Sequence, residues 1–574
     1  MNLMPILKRH GAVVLLALLV AFVTIGPEIY FAQTHGYAGI PMFGTDAETH
    51  YAARVAEAMQ AAPQFGNPFF VGGDAPAFIP SLGERITAML GWLTGQRASV
   101  AVILAKFVFP FIVTLLFYAL ALALFDSRRI ALVGSAAAML GDNLMSSPGA
   151  WTDLFHGVSH ASEFITYARP VNPEVSELFL LGVSLIFFIA FIKRRSPRIA
   201  ESIAIGVLSA ASLYVSPYVA TFLAAFLLAA ALFELYKRAW NTVAHLVLAG
   251  ATALICLIPF ALNYRALIAS PLYAESSLRF GLIATHAPMI GIWLAVLIAA
   301  VFFPWKHFEK AHAFFVIAAI ALVLVLNEQV LTGHALSPSH YHWYIEKPII
   351  LLLASAFGVL LLERFVASRA IQRLCIALAL LVLLYNSVLV QIASYRAQVH
   401  HAAQTQIYAP AFAYLSAVQD RPGVWADRNV ADLLPIFAPV ASVNDSYADY
   451  YIASTGALRM RLFLEYRLHG VSAAGVLATM RAERADISNR IFGIYYRDQF
   501  GDYAAIPDTL LTQFAAKYAT YLKEPLEQSF AELGITYILW NRNLEPEWGI
   551  DTLPFVTEVF RSGPEEIYRL RTTQ

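Results

Sequence analysis

Charge is scarce in this chain, at 14% of its residues, and neither sign dominates, with 39 Lys and Arg against 39 Asp and Glu. That balance excludes a nucleic-acid partner held by a basic surface and an acidic disordered tail. Only two cysteines occur, Cys256 and Cys375, each inside an apolar run. A disulfide framework is thereby excluded, and so is a zinc cluster built on thiolates. The last third of the chain lacks a glycine-rich phosphate loop, a nucleophile elbow and a metal-binding motif. No internal repeat or low-complexity linker interrupts the sequence.

What is present is apolar sequence, 59% of the residues, with a mean hydropathy of +0.61. A soluble fold of this length needs more polar surface. A helix needs about 20 apolar residues to cross some 30 Å of hydrocarbon. Runs near 12–31, 99–125, 129–146, 175–192, 199–215, 217–236, 241–262, 288–304, 312–327, 348–366 and 371–393 are predicted to do so. The expected fold class is an α-helical polytopic membrane protein of about eleven transmembrane helices, followed by a mixed α/β domain. Lys8 and Arg9 precede the first run as in a signal peptide, but no small-residue cleavage site follows, so it is read as an anchor.

The basic residues set a direction. Lys8/Arg9, Arg128/Arg129, Lys193/Arg194/Arg195/Arg198, Lys237/Arg238, Lys306/Lys310 and Arg364/Arg369/Arg373 fall in alternate short loops, as the positive-inside rule requires of the cytoplasmic face. The N-terminus is expected inside, in a cell membrane. The long segments 32–98, 147–174, 263–287, 328–347 and the tail from 394 are expected outside. Polar chemistry is expected there, because connections kept only for topology could be as short as the inner ones.

The first outer segment reads PMFGTDAETHYAARVAEAMQ. Thr45 and Glu48 form a capping-box pair that predicts a helix starting at Asp46. Ala47, Tyr51, Val55 and Met59 make an apolar stripe along it, so the helix is expected to lie flat on the membrane. Asp46, His50 and Arg54 share the opposite stripe. Helix-start chemistry alone would also account for Glu48 as cap and Asp46 as dipole partner. Further on, Asp142 sits in the outer part of its span, where an unpaired charge would be costly, and is expected to face a wet cavity. Asn172, Pro173 and Glu174 read as cap and first turn of the next span. Arg169, beside Pro170, offers a planar fork of donors suited to phosphate, or to anchoring at lipid headgroups. Near Pro348, His334, His340, His342, Tyr341, Trp343, Tyr344, Glu346 and Lys347 crowd together. In an extended segment His340 and His342 would point the same way, which permits metal ligation or a diphosphate contact.

An acidic residue after the first span, followed by an aromatic and an arginine as in Asp46, Tyr51 and Arg54, resembles the first outer loop of GT-C membrane glycosyltransferases. The NEQVLTG and HYHWY stretches also look like those of bacterial membrane proteins of this kind. The resemblance covers residues 1–393 by topology, with 394–574 as an extracytoplasmic α/β domain. A WWD-type motif is missing from the tail, which argues against asparagine glycosylation. The resemblance implies a polyprenyl-phosphate-linked sugar as donor and a glycan, lipid or protein as acceptor. It implies Asp46 and Glu48 as catalytic carboxylates, with His50, Arg54, Arg169, His340, His342 and Lys347 at the substrate. A divalent metal, Mg²⁺ or Mn²⁺, would have Asp46, Glu48 and Asp142 as candidate ligands. A lipid or solute transporter without catalysis is the alternative, although such proteins usually show inverted repeats.

In the tail, GVWAD, PVASVND and ITYILW read as short strands. ALRMRLFLEYRLHG and TQFAAKYATYLKEPLEQSFAELG read as helices.

Overall fold

The computed structural model describes residues 4–60, 67–71, 80–146, 148–279, 283–302 and 308–571, with side chains from residue 10 onward except that of 146. The side chains of Lys8 and Arg9, residue Lys306 and parts of the segment 32–98 therefore lie outside the described residues. The chain is a mostly helical, multi-pass membrane protein. Among the described residues, seven helices are long and apolar enough to cross a bilayer: His10–Thr34, Ala98–Phe125, Ser176–Lys193, Pro217–Tyr236, Glu309–Thr332, Pro338–Phe365 and Arg369–Ser416. The pair Trp240–Cys256 and Ile258–Ile268, bent by 49° at Leu257 and followed by Pro259, makes an eighth if counted as one span.

Seven, or eight with the bent pair, of the eleven expected runs meet that length among the described residues. The other three apolar runs fold as the helices Arg128–Leu140, Ile199–Leu213 and Ile292–Val301, of 13, 15 and 10 residues. At 1.5 Å per residue each falls short of 30 Å. They are packing helices in part: a Cβ on Gly206 would collide with the carbonyl oxygen of Ala249, so the backbone of Ile199–Leu213 presses directly on Trp240–Cys256.

The connections sort to two ends of the bundle. At one end Arg129 bonds Glu363 and Gln372, and Lys310 reaches the carbonyl of Lys193. At the other, the four long segments meet one another and the tail. Gly44 accepts from the Phe164 amide, and Arg279 donates to the carbonyls of Ala453 and Ile491. Strand β1 (Ile283–Ala284) pairs antiparallel with β2 (His334–Ala335).

The last long helix runs unbroken from Arg369 to Thr405, so the boundary drawn at 393/394 falls inside a helix. The tail sheet comprises β3 (Gly423–Ala426), β4 (Ala441–Ser442), β5 (Ile535–Asn541), β6 (Val556–Ser562) and β7 (Glu565–Leu570). Its order is β4-β3-β5-β7-β6, parallel from β4 to β5 and antiparallel beyond. Alternation along the strands divides its side chains between two cores. Trp425, Ile538 and Trp540 pack with Phe530 and Trp548 on one face. Val424, Ala426, Leu539 and Ile567 belong with Ala52, Ala53, Val55 and Ala56 of the helix Glu48–Met59 to the other.

That second core overturns the expectation of a helix lying on the membrane. Both stripes of Glu48–Met59 are covered, because the tail sits on its outer face. The helix also begins at Glu48, two residues after the expected start. Ala47 is its N-cap with a left-handed backbone, while the Thr45 amide and hydroxyl both donate to the Glu48 carboxylate. Likewise the span after Asn172 begins at Ser176, whose hydroxyl donates to Asn172 Oδ1.

Candidate active site

The residues Phe43 to Ala47 form a hook. Phe43 and Ala47 both have positive φ, 46° and 53°, in a region that non-glycine residues rarely adopt. Between them Gly44 is obligatory for a different reason: a Cβ there would collide with the ring of Phe164. This close approach lays the segment around Phe164 and Arg169 alongside the hook, and Asp46 emerges at its tip with its side chain 63% exposed.

Arg169 lies beside it, 13% exposed, with Nη2 3.5 Å from Asp46 Oδ2. Its Nη1 donates to the Tyr344 hydroxyl at 2.5 Å, and its guanidinium lies 5.5 Å from the centroid of the Tyr51 ring. Its Nε is buried with no hydrogen-bond partner among the described residues. Tyr344 in turn meets His340 edge to face at 5.6 Å, and His340 stacks flat on Tyr218 at 4.2 Å. His340 Nδ1 is also buried without a hydrogen-bond partner among the described residues. Asp46, Arg169 and His340, far apart in sequence, thus form one connected group.

The remaining expected site residues are placed differently. Glu48 is buried, with Oε1 2.5 Å from Lys106 Nζ, and Lys106 also holds Glu28 at 2.8 Å. Burial raises the Glu48 pKa, Lys106 opposes that and Glu28 reinforces it. The structure thus places Glu48 in a buried ion pair, on the inner side of the hook from the exposed Asp46. His50 is hydrogen-bonded to the Tyr451 hydroxyl at 3.0 Å. Burial, helped by Arg54 and Arg169, holds its pKa well below the usual histidine value. Arg54 is buried with Nε 2.6 Å from Glu84. Lys347 is buried 3.1 Å from Asp142 and 3.1 Å from the centroid of Trp343. Asp142 therefore spends its charge on a lysine, and also accepts from Thr166 at 2.7 Å, instead of facing an open wet cavity. His340 and His342 do not point the same way. Pro338 opens a helix that continues through a widened turn at His342–Glu346 into the span. In helical backbone residues two apart diverge, and His342 bonds Glu346 at 2.6 Å while His340 stacks on Tyr218.

The three candidate metal ligands lie apart, each beside a cation of the chain. Asp46 pairs with Arg169, Glu48 with Lys106 and Asp142 with Lys347, so each carboxylate already faces a cation. Among the described residues, the group of three potential ligands that comes together is His469, Glu545 and Glu547, in the tail.

Sequence reading missed the contribution of the tail to this end of the bundle. Tyr450 lies within electrostatic reach of both Asp46 and Arg169, and Arg497 within reach of His340. Arg497 is held by Asp498 at 2.9 Å. Burial raises the pKa of Tyr51 and, well above the usual value, of Tyr450, so both hydroxyls keep their protons. The crowding in IYYRDQF and SYADYY was the available signal. A cavity of about 460 Å³ adjoins the hook, lined by Phe43, Thr49, His401, Asp427, Asn429 and Asp432 among others.

No protein-family model and no curated protein sequence matches the chain. Among solved structures it is similar to ArnT from Cupriavidus metallidurans bound to undecaprenyl phosphate, at 13% identity over 98% of both chains and a TM-score of 0.49. It is also similar to the oligosaccharyltransferase of Archaeoglobus fulgidus in its apo form, at 12% identity over 93% of this chain and 70% of that one, with a TM-score of 0.44. Both are GT-C glycosyltransferases.

Proposed function

We propose that this chain is a membrane glycosyltransferase that moves a sugar from a polyprenyl-phosphate-linked donor to an acceptor at the outer face. The observation that carries the reading is the exposed Asp46 carboxylate set beside a mostly buried Arg169 with donor capacity to spare. A donor phosphate at Arg169 would replace Asp46 as partner of the guanidinium and free the carboxylate. Asp46 then takes the proton of the acceptor as its heteroatom bonds to the anomeric carbon. The bond from that carbon to the phosphate oxygen breaks, and the phosphate leaves with the electron pair, stabilised by Arg169. His340 and Tyr344 line the same group and hold the donor in place. The cavity beside the hook falls within the size range of small-molecule sites and suits the acceptor. The outward orientation rests on the basic loops gathered at the opposite end. Buried charge does not favour the transporter reading, since Glu28 and Glu48 are held by Lys106 in a structural ion-pair group next to the hook.

The test is turnover of purified protein with a panel of polyprenyl-phosphate sugars. Asp46→Asn keeps shape and hydrogen-bonding capacity, so its rate should fall by about 10²–10⁴-fold with unchanged melting. An unaltered rate at matched protein levels would reduce Asp46 to a loop residue. Independently, a reporter active only in the cytoplasm, fused after Gln574, should stay dark; a bright signal would invert the topology.

A further inference from the structure

His469 closes the helix Thr455–Leu468, and its Nδ1 lies 2.8 Å from the carbonyl oxygen of Glu465 in the preceding turn. A carbonyl only accepts, so Nδ1 carries the hydrogen and Nε2 presents its lone pair on the other side of the ring. That nitrogen faces two carboxylates, Glu545 Oε2 at 2.9 Å and Glu547 Oε1 at 3.5 Å. Two anions opposite that nitrogen hold a cation there, either the proton that makes the ring an imidazolium, its pKa raised to about 9 chiefly by the hydrogen bond to Glu545, or a metal ion in the proton's place. The Glu545 carboxyl also touches that of Asp427, which adds a further oxygen and further negative charge.

The surroundings fix the group in advance. The His469 ring stands edge-on to Trp548, whose side chain is buried. The loop carrying both glutamates is tied by Trp540 Nε1 to the Glu545 carbonyl and by Asn541 Oδ1 to the amides of Asn543 and Leu544. A tetrahedral ion with bonds of about 2.0–2.1 Å places neighbouring donor atoms about 3.3 Å apart, which the two distances bracket. An imidazole oriented through its second nitrogen by a backbone carbonyl is the usual setting of a metal-bound histidine.

We propose that His469, Glu545 and Glu547, with Asp427 at their edge, bind one divalent transition-metal ion of the zinc type. One nitrogen and two oxygens, with a position left open, suit such an ion better than magnesium or calcium, which prefer oxygen alone. The ion would pin the end of the helix Thr455–Leu468 to the loop after β5, remote in sequence.

Full-length protein in detergent, without a histidine tag and stripped with a chelator, should be titrated with zinc chloride by calorimetry and followed by melting. One equivalent is expected to bind and to raise Tm. His469→Gln should weaken that site at least tenfold and abolish the rise. Glu547→Gln, at an exposed position, tests the same site without threatening the fold and should also weaken binding. Cobalt in place of zinc should give the visible bands of a tetrahedral site in the parent only. No binding, or zinc binding of unchanged affinity in both variants, would leave a protonated histidine paired with glutamates and overturn the proposal.

Discussion

Asp46 and Glu48 stand two residues apart and end in opposite surroundings. Asp46 is thrown outward on a left-handed hook, 63% exposed, with a guanidinium at 3.5 Å. Glu48 turns inward, where Lys106 serves both it and Glu28. Glu174 joins that inner group with both oxygens lacking hydrogen-bond partners among the described residues, and its pKa is pushed well above the usual range by burial, with Lys106 opposing. Three carboxylates therefore share one ammonium. The difference teaches that an acidic residue in this loop serves chemistry or architecture according to the direction the backbone turns at Ala47, not according to its residue type.

The comparison breaks most visibly at Lys106. Lys106→Met removes the cation of the inner group and leaves Glu28, Glu48 and Glu174 buried together. Removing one partner of a buried pair costs about 3–5 kcal/mol. Unfolding in detergent should show a loss of that order, whereas Asp46→Asn should leave stability within about 0.5 kcal/mol, as at an exposed position. Equal losses in the two variants would mean that the hook is as structural as the inner group.

Arg169→Lys sharpens the outer side. Lysine keeps the charge near Asp46 but cannot donate to Tyr344 and a phosphate in the same fork geometry. A fall in kcat/KM of about 10–100-fold is expected, equivalent to roughly 1.4–2.7 kcal/mol of transition-state binding. Steady-state kinetics with Asp46 intact provides the check. An unchanged kcat/KM would make Arg169 a headgroup anchor.

Much of this was readable from the sequence. Every predicted apolar run contains a helix, and GVWAD, PVASVND and ITYILW fall on strands β3, β4 and β5. Hydrophobic runs and strand-sized apolar segments are local signals. Span lengths were less legible, because the break at Gly141 and the bend at Leu257 depend on packing. Asp46 and Arg169 stood out as charges with no local use. Glu48, His50, Arg54 and Lys347 misled because their neutralising partners, Lys106, Tyr451, Glu84 and Asp142, are distant in the chain. The cluster at His469 was hidden for the same reason, as no spacing links it to Glu545. The hairpin of β6 and β7 was missed because its outer strand is largely exposed and carries little apolar alternation.

The smallest effect is expected from Glu48→Gln, and it separates the two acids most cleanly. Burial raises the Glu48 pKa in spite of Lys106, so the folded protein holds this proton more tightly than the unfolded chain does. Under that sign, the stability Glu48 contributes is greatest at low pH and declines as pH rises above its unfolded value. Glutamine reproduces the protonated acid in shape, still accepts from the Thr45 amide and hydroxyl, and cannot ionise. Lys106 keeps Glu28 as its partner. The variant should therefore differ from the parent by no more than about 1 kcal/mol, the net worth of an ordinary hydrogen bond. The difference should move in the variant's favour as pH is raised from 5 to 8, read from melting curves in detergent (pH values on the order of those at which a buried carboxyl titrates). Turnover should be retained, since Asp46 and Arg169 are untouched. A loss of stability matching that of Lys106→Met, or a loss of turnover matching that of Asp46→Asn, would erase the distinction between the outward and the inward carboxylate.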